Sequence, residues 1–133
     1  MAEVLGVIDY GRIDRILRDR LATVFNEVGK LVLVDYTTEP LVANSMWVSE
    51  VDDDPATGRI VGTVFADQPG TLYVEQGPDR TNWDVVESFS VLANVGFGFT
   101  VEKVAQYVRV RYVNGETDQT VFRLYVYARK RVI

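Results

Sequence analysis

The hydrophobic period of this chain changes once, at Gly29, and does not change back. Before it, Ile13, Ile16, Leu17, Leu21, Val24, Phe25 and Val28 recur at spacings of three and four. That is the stripe of an amphipathic helix. After it, apolar residues alternate every second position, as they do in strands with one wet face. One switch of period in a short chain allows few folds. It predicts a helical arm over residues 1–30 and a mainly β domain over residues 31–133.

The helix has the expected ends. Asp9 is placed to cap its start, and Gly29 sits where a helix closes in the left-handed conformation. Asp14 with Arg18, and Arg15 with Asp19, are four apart and pair on the wet face. The strands are read at 31–36, 45–51, 59–66, 71–76, 83–91, 97–102, 107–113 and 120–129. Asp52-Asp53-Asp54-Pro55, Asp67-Gln68-Pro69-Gly70 and Asn114-Gly115 mark turns between them. Eight short antiparallel strands at this spacing predict a jelly-roll-like β-sandwich, preceded by one amphipathic α-helix.

Alternation assigns faces. Val108, Val110 and Tyr112 share one side of the seventh strand, and Phe122, Leu124, Val126 and Ala128 one side of the eighth. The opposite sides carry Tyr107, Arg109 and Arg111, and Arg123, Tyr125, Tyr127 and Arg129. If the two strands are neighbours, these residues form one ladder of tyrosine and arginine. Both residue types are enriched at interface hot spots. The ladder and the helix stripe (Ile13, Ile16, Leu17, Leu21, Val24, Phe25) are the candidate oligomer or partner interface. The bland alternatives are cross-strand pairing on a wet face and a helix packed on its own sandwich. Trp47 is read as core. Trp83 either plugs the end of the sandwich or stands exposed as a stacking platform for a sugar.

The residues that carry most chemistry are absent. The chain has no histidine and no cysteine, so the usual general base, the commonest metal ligand and thiolate sites are all missing. Ser88 and Ser90 have no glycine elbow around them, and Lys30, Lys103 and Lys130 are scattered. No catalytic residue and no cofactor is therefore expected. Glu50, Asp52, Asp53 and Asp54 form a weak calcium candidate, and Asp79, Asn82 and Asp84 a weaker one. A solvated acidic turn is the simpler account of both.

Charge is segregated along the chain. Residues 31–99 hold 11 acids and 2 bases, and residues 100–133 hold 7 bases and 3 acids. The two regions either meet within one molecule or join copies of it. The net charge of -5 argues against a nucleic-acid partner. No run is apolar and long enough to span a membrane as a helix. The first residues lack the pattern of a signal peptide, so synthesis as a soluble chain in a host cytoplasm is expected, with export only by a route that needs no signal or release by lysis.

Leu72-Tyr73-Val74-Glu75-Gln76, followed by Pro78-Asp79-Arg80-Thr81-Asn82-Trp83-Asp84, resembles the strand–loop–strand hairpin of discoidin-like jelly-roll domains. Gln106-Tyr107-Val108-Arg109-Val110-Arg111-Tyr112 with Asn114-Gly115 is similar to a later strand of the same domains. The resemblance covers 47–129, and Arg80 stands where those domains carry glycine. Similar sandwiches occur among virion structural proteins of tailed bacteriophages. The resemblance thus implies a virion protein, in the first place a capsid decoration (cement) protein. Such a protein would form a homo-oligomer, a trimer by preference, and bind other virion proteins such as the major capsid protein. The second implied reading is a carbohydrate-binding module of a tail or host-recognition structure.

Overall fold

A computed structural model describes residues 30–131. The expected helix, with Ile13, Ile16, Leu17, Leu21, Val24 and Phe25, lies outside the described residues. Eight strands follow: β1 (Lys30–Thr37), β2 (Met46–Val48), β3 (Thr57–Ala66), β4 (Gly70–Gly77), β5 (Val85–Val91), β6 (Phe97–Glu102), β7 (Tyr107–Asn114) and β8 (Phe122–Lys130). They form two four-stranded antiparallel sheets. Sheet 1 has the order β1-β8-β3-β6 and sheet 2 the order β2-β7-β4-β5. Strand pairs 1·8, 2·7, 3·6 and 4·5 are those of a long hairpin wound around a core, which is the jelly-roll path.

The core lies between the sheets. Ile60, Val64, Leu72, Val74, Val108, Val110, Tyr112, Leu124 and Val126 are all at most 2% exposed. They are the alternate residues of β3, β4, β7 and β8, the central strands of each sheet, and the inward faces read from the sequence for strands seven and eight are the buried ones. The Tyr112 ring packs against Phe122 at 4.9 Å, and burial raises its hydroxyl pKa to about 12. Trp47 is half-buried against the core, as expected.

Strand ends move for local reasons. β2 stops at Val48 because the Ser49 hydroxyl, not a carbonyl, accepts the Val110 N–H at 2.8 Å. β5 starts at Val85, because the chain at Asn82 and Trp83 lies back on β4. A Cβ on Gly77 would stand 1.7 Å from the Asn82 carbonyl oxygen, so only glycine permits that approach. β8 starts at Phe122, after the Asp67 carboxylate has accepted the N–H groups of Thr120 and Val121.

The condition for a single ladder, that strands seven and eight are neighbours, is not met. β7 belongs to sheet 2 and β8 to sheet 1. The single tyrosine–arginine ladder is therefore two surfaces on opposite sides of the sandwich. All consecutive strands here except β4 and β5 cross between sheets, so a face read correctly for each strand did not give their adjacency.

Candidate interface on the outer sheet faces

The outer face of sheet 2 is organised around a buried acid. Glu75 on β4 pairs with Arg109 on β7, and Tyr73 with Arg111. The Glu75 carboxylate accepts from Arg109 Nε at 2.8 Å and from Arg111 Nε at 3.0 Å. The two guanidiniums lie over rings, Arg109 at 4.3 Å from the centroid of Trp83 and Arg111 at 4.2 Å from that of Tyr73. Glu75 is only 5% exposed although it points outward. Burial pulls its carboxyl upward, but the bonds and charges of Arg111 and Arg109 outweigh this and hold it below its ordinary value. Trp83 thus neither plugs the sandwich nor stands free, since its ring is the bed for Arg109. Arg80 crosses the Tyr107 ring at 5.1 Å. Arg109, Arg111 and Tyr107 are engaged within their own sheet.

Among the described residues no element packs over the outer face of sheet 1. Pairing across β1, β8, β3 and β6 aligns Leu33, Tyr127, Val61 and Thr100 in one row, and Tyr36, Tyr125, Thr63 and Gly98 in the next. Tyr36 stacks on Tyr125 with centroids 5.2 Å apart, and Tyr125 neighbours Tyr127 at 6.5 Å. Arg123 lies over Phe65 at 4.6 Å, and no acid is paired with it among the described residues. Leu31, Leu33 and Tyr36 are 48%, 47% and 51% exposed. Two shallow grooves of about 460 and 390 Å³ run side by side here, sharing Thr63 and Gly98. Leu31, Tyr127 and Arg129 border the larger, and Arg123 and Tyr125 the smaller. Of the ladder read from the sequence, Arg123, Tyr125, Tyr127 and Arg129 thus stand on the open face. Leu31, Leu33 and Tyr36 were missed, because strand one reads as a plain apolar run.

The acidic turn is neutralised from within. Asp52 faces Lys103 at 3.3 Å and Lys130 at 3.6 Å. Asp54 meets Lys130 at 2.8 Å, and Asp53 meets Arg80 at 2.7 Å. The Lys130 bond, then the Ala56 N–H, hold the Asp54 carboxyl below its ordinary value. Glu50 is exposed and separate, its own N–H donating to Asp35. Asp79 accepts from the backbone N–H groups of Thr81 and Asn82 and from the Asn82 side chain, as in an Asx turn. Among the described residues no three carboxylates gather to hold a metal ion. Ser88 and Ser90 are exposed on β5 opposite Tyr73 and Thr71. The acidic middle and basic end of the chain therefore do meet within one molecule, at Glu75 and at Asp52–Asp54.

Comparison with known proteins gives the fold relatives. Residues 22–129 match the family described as the uncharacterised protein YqxG N-terminal domain. The uncharacterised protein YqxG of Bacillus subtilis (strain 168) is 34% identical over 68 residues, covering 50% of this chain and 23% of that protein. The phage-like element PBSX protein XepA of the same organism is also 34% identical over 68 residues, covering 50% of this chain and 24% of XepA. The chain thus spans about a quarter of the length of these curated relatives. The crystal structure of the PBSX exported protein XepA superposes with a TM-score of 0.69 at 27% identity, over 79% of this chain and 38% of that one. A structure from work on disulfide-linked pili of Bacillus endospore appendages superposes with a TM-score of 0.50 at 15% identity, over 78% of this chain and 91% of that one. The latter likeness is one of fold alone.

Proposed function

The chain belongs to the YqxG N-terminal domain family, and from that premise we propose that it is a non-enzymatic structural protein of a phage-derived particle. Its role is of the capsid decoration (cement) kind. It joins copies of itself, and neighbouring particle proteins such as a major capsid protein, through the outer face of sheet 1. Residues 1–30 act as an assembly arm and residues 31–133 as the docking body. Relationship to a protein of a phage-like element supports the setting.

The observation that carries the reading is the contrast in how the outer faces are satisfied. Sheet 2 spends its arginines on Glu75, Trp83 and Tyr73. Sheet 1 leaves Leu31, Leu33 and Tyr36 exposed, with Tyr36 stacked on the half-buried Tyr125 and Tyr127 beside it. An open apolar and aromatic face of that kind marks an interaction surface. Light scattering of the full chain tests it. A closed oligomer, a trimer by preference, is expected, and the double substitution Tyr125→Ser with Tyr127→Ser should reduce it to monomer with an unchanged β-type circular dichroism spectrum. A wild-type chain that stays monomeric at every concentration would contradict it.

A second reading has its own observation. The Tyr36–Tyr125–Tyr127 stack is an aromatic platform of the kind sugars use. Binding on a glycan array that disappears with Tyr125→Ser would favour a carbohydrate-binding module over assembly.

A further inference from the structure

Asn114 ends β7 and is buried beneath the turn that follows it. Its Nδ2 donates to the carbonyl oxygens of Leu41 and Val42, at 3.1 Å each, and of Thr117 at 2.9 Å. Three acceptors around one end of a carboxamide fix that end as the nitrogen. The Oδ1 at the other end is buried, and among the described residues no donor reaches it. Gln119 is the converse case. Its Oε1 accepts the Leu41 N–H at 2.8 Å, so that end is the oxygen. Its Nε2 is buried and meets no acceptor among the described residues.

The two carboxamides grip one residue. The Leu41 carbonyl oxygen accepts from Asn114 Nδ2 and, at 2.9 Å, from the Gln119 N–H. A third lone group lies at the same end of the core. The Tyr112 hydroxyl, on the same inward side of β7 as Asn114, is also buried with no partner among the described residues. A Cβ on Gly70 would strike both this hydroxyl and the Val113 carbonyl oxygen. Gly70 is the residue paired with Asn114, so the hydroxyl stands at the Asn114 end of its ring.

Tyr112, Asn114 and Gln119 are 0%, 2% and 5% exposed. Buried polar atoms in native proteins bond to protein or to ordered water. The chemistry these three can accept is narrow. Asn114 Oδ1 needs a donor, Gln119 Nε2 needs an acceptor, and the hydroxyl serves as either. The Nε2 hydrogens repel a cation, and Oδ1 repels an anion. The ligand must be small, neutral and able both to donate and to accept. We propose that Tyr112, Asn114 and Gln119 form a binding site for one buried water molecule. The water accepts from Gln119 Nε2 and donates to Asn114 Oδ1 and to the Tyr112 oxygen, which makes about the three bonds usual for a buried water.

The water completes a clasp. Residues 38–45, between β1 and β2, carry no strand. Nearer the surface, the Ala43 N–H donates to the Asp118 carboxylate at 2.7 Å and the Asn44 N–H to the Gly115 carbonyl at 2.8 Å. The water extends these bonds into the core, tying the β1–β2 connection to the turn between β7 and β8. This inference is independent of the assembly reading.

Three measurements on the full chain test it. A high-resolution crystal structure should show one ordered water within about 3.2 Å of both Asn114 Oδ1 and Gln119 Nε2. A direct bond from Gln119 to Asn114 in its place would overturn the proposal. In solution, the Gln119 side-chain amide protons should cross-relax with water with the sign of a long-lived bound molecule, and should still do so in Tyr112→Phe, where no exchanging hydroxyl can relay the signal. The sign of fast surface water would overturn it. Urea unfolding of the same variant reads the hydroxyl's bond, and its loss should lower the folding equilibrium constant about fivefold. An unchanged or higher constant is what a hydroxyl without a partner gives, and would overturn it as well.

Discussion

The two outer faces of this sandwich are built from the same residue types and behave oppositely. On sheet 2, Arg109 and Arg111 are held between aromatic rings below and Glu75 between them. On sheet 1, Arg123 rests on Phe65 with no acid partner among the described residues, and the tyrosines stack only on one another. Tyrosine and arginine in alternation do not define an interface. What separates the faces is one buried carboxylate. Where Glu75 is present the arginines are engaged in holding the sheet, and on sheet 1 no buried acid of that kind pairs with Arg123 among the described residues.

That contrast is broken most readily at Glu75. Arg109→Glu sets a second carboxylate beside it and is expected to cost about 3 kcal/mol, since breaking a buried pair leaves an uncompensated charge. Urea unfolding measures it. Glu75→Gln keeps shape and loses charge, and should cost about 2 kcal/mol by the same measurement, within the range of hydrogen bonds to charged groups. A loss below about 0.5 kcal/mol, typical of an unconstrained surface position, would mean that the sheet 2 face is as loosely held as the sheet 1 face.

The same acid gives a pH signature. Its folded pKa lies below the ordinary value of 4.5. Its contribution is therefore complete above pH 4.5 and is lost as pH falls through the lower, folded value. Thermal unfolding of the wild type should weaken in acid, and Glu75→Gln should flatten part of that slope. Equal slopes in both proteins would remove Glu75 from the account. On the other face the expected effect on stability is smallest. Arg123→Glu should change unfolding free energy by about 0.5 kcal/mol or less, while weakening assembly. A loss as large as that of Arg109→Glu would erase the distinction between the faces.

The sequence made one level of this legible and hid the next. Which residues of each strand face inward follows from alternation, and Val108, Val110, Leu124 and Val126 are buried as that reading requires. Phe97–Glu102 is the strand expected. Which strands lie side by side does not follow. Adjacency is set by how the hairpin winds, and the local pattern of β7 and β8 says nothing of it. The partners of charged groups were hidden for the same reason. Lys130 reaches Asp54 across 76 positions and Arg109 reaches Glu75 across 34. Asp52–Asp54 therefore read as a bare acidic turn when it is an ion-paired one.

Residue-level oxidative footprinting of the full chain, at concentrations below and above assembly, tests the central claim most directly. The account expects Tyr36, Tyr125 and Tyr127 on sheet 1 to become protected as the protein assembles, with Tyr73 and Trp83 on sheet 2 unchanged. Protection of Tyr73 and Trp83 instead, or no change on either face, would contradict it.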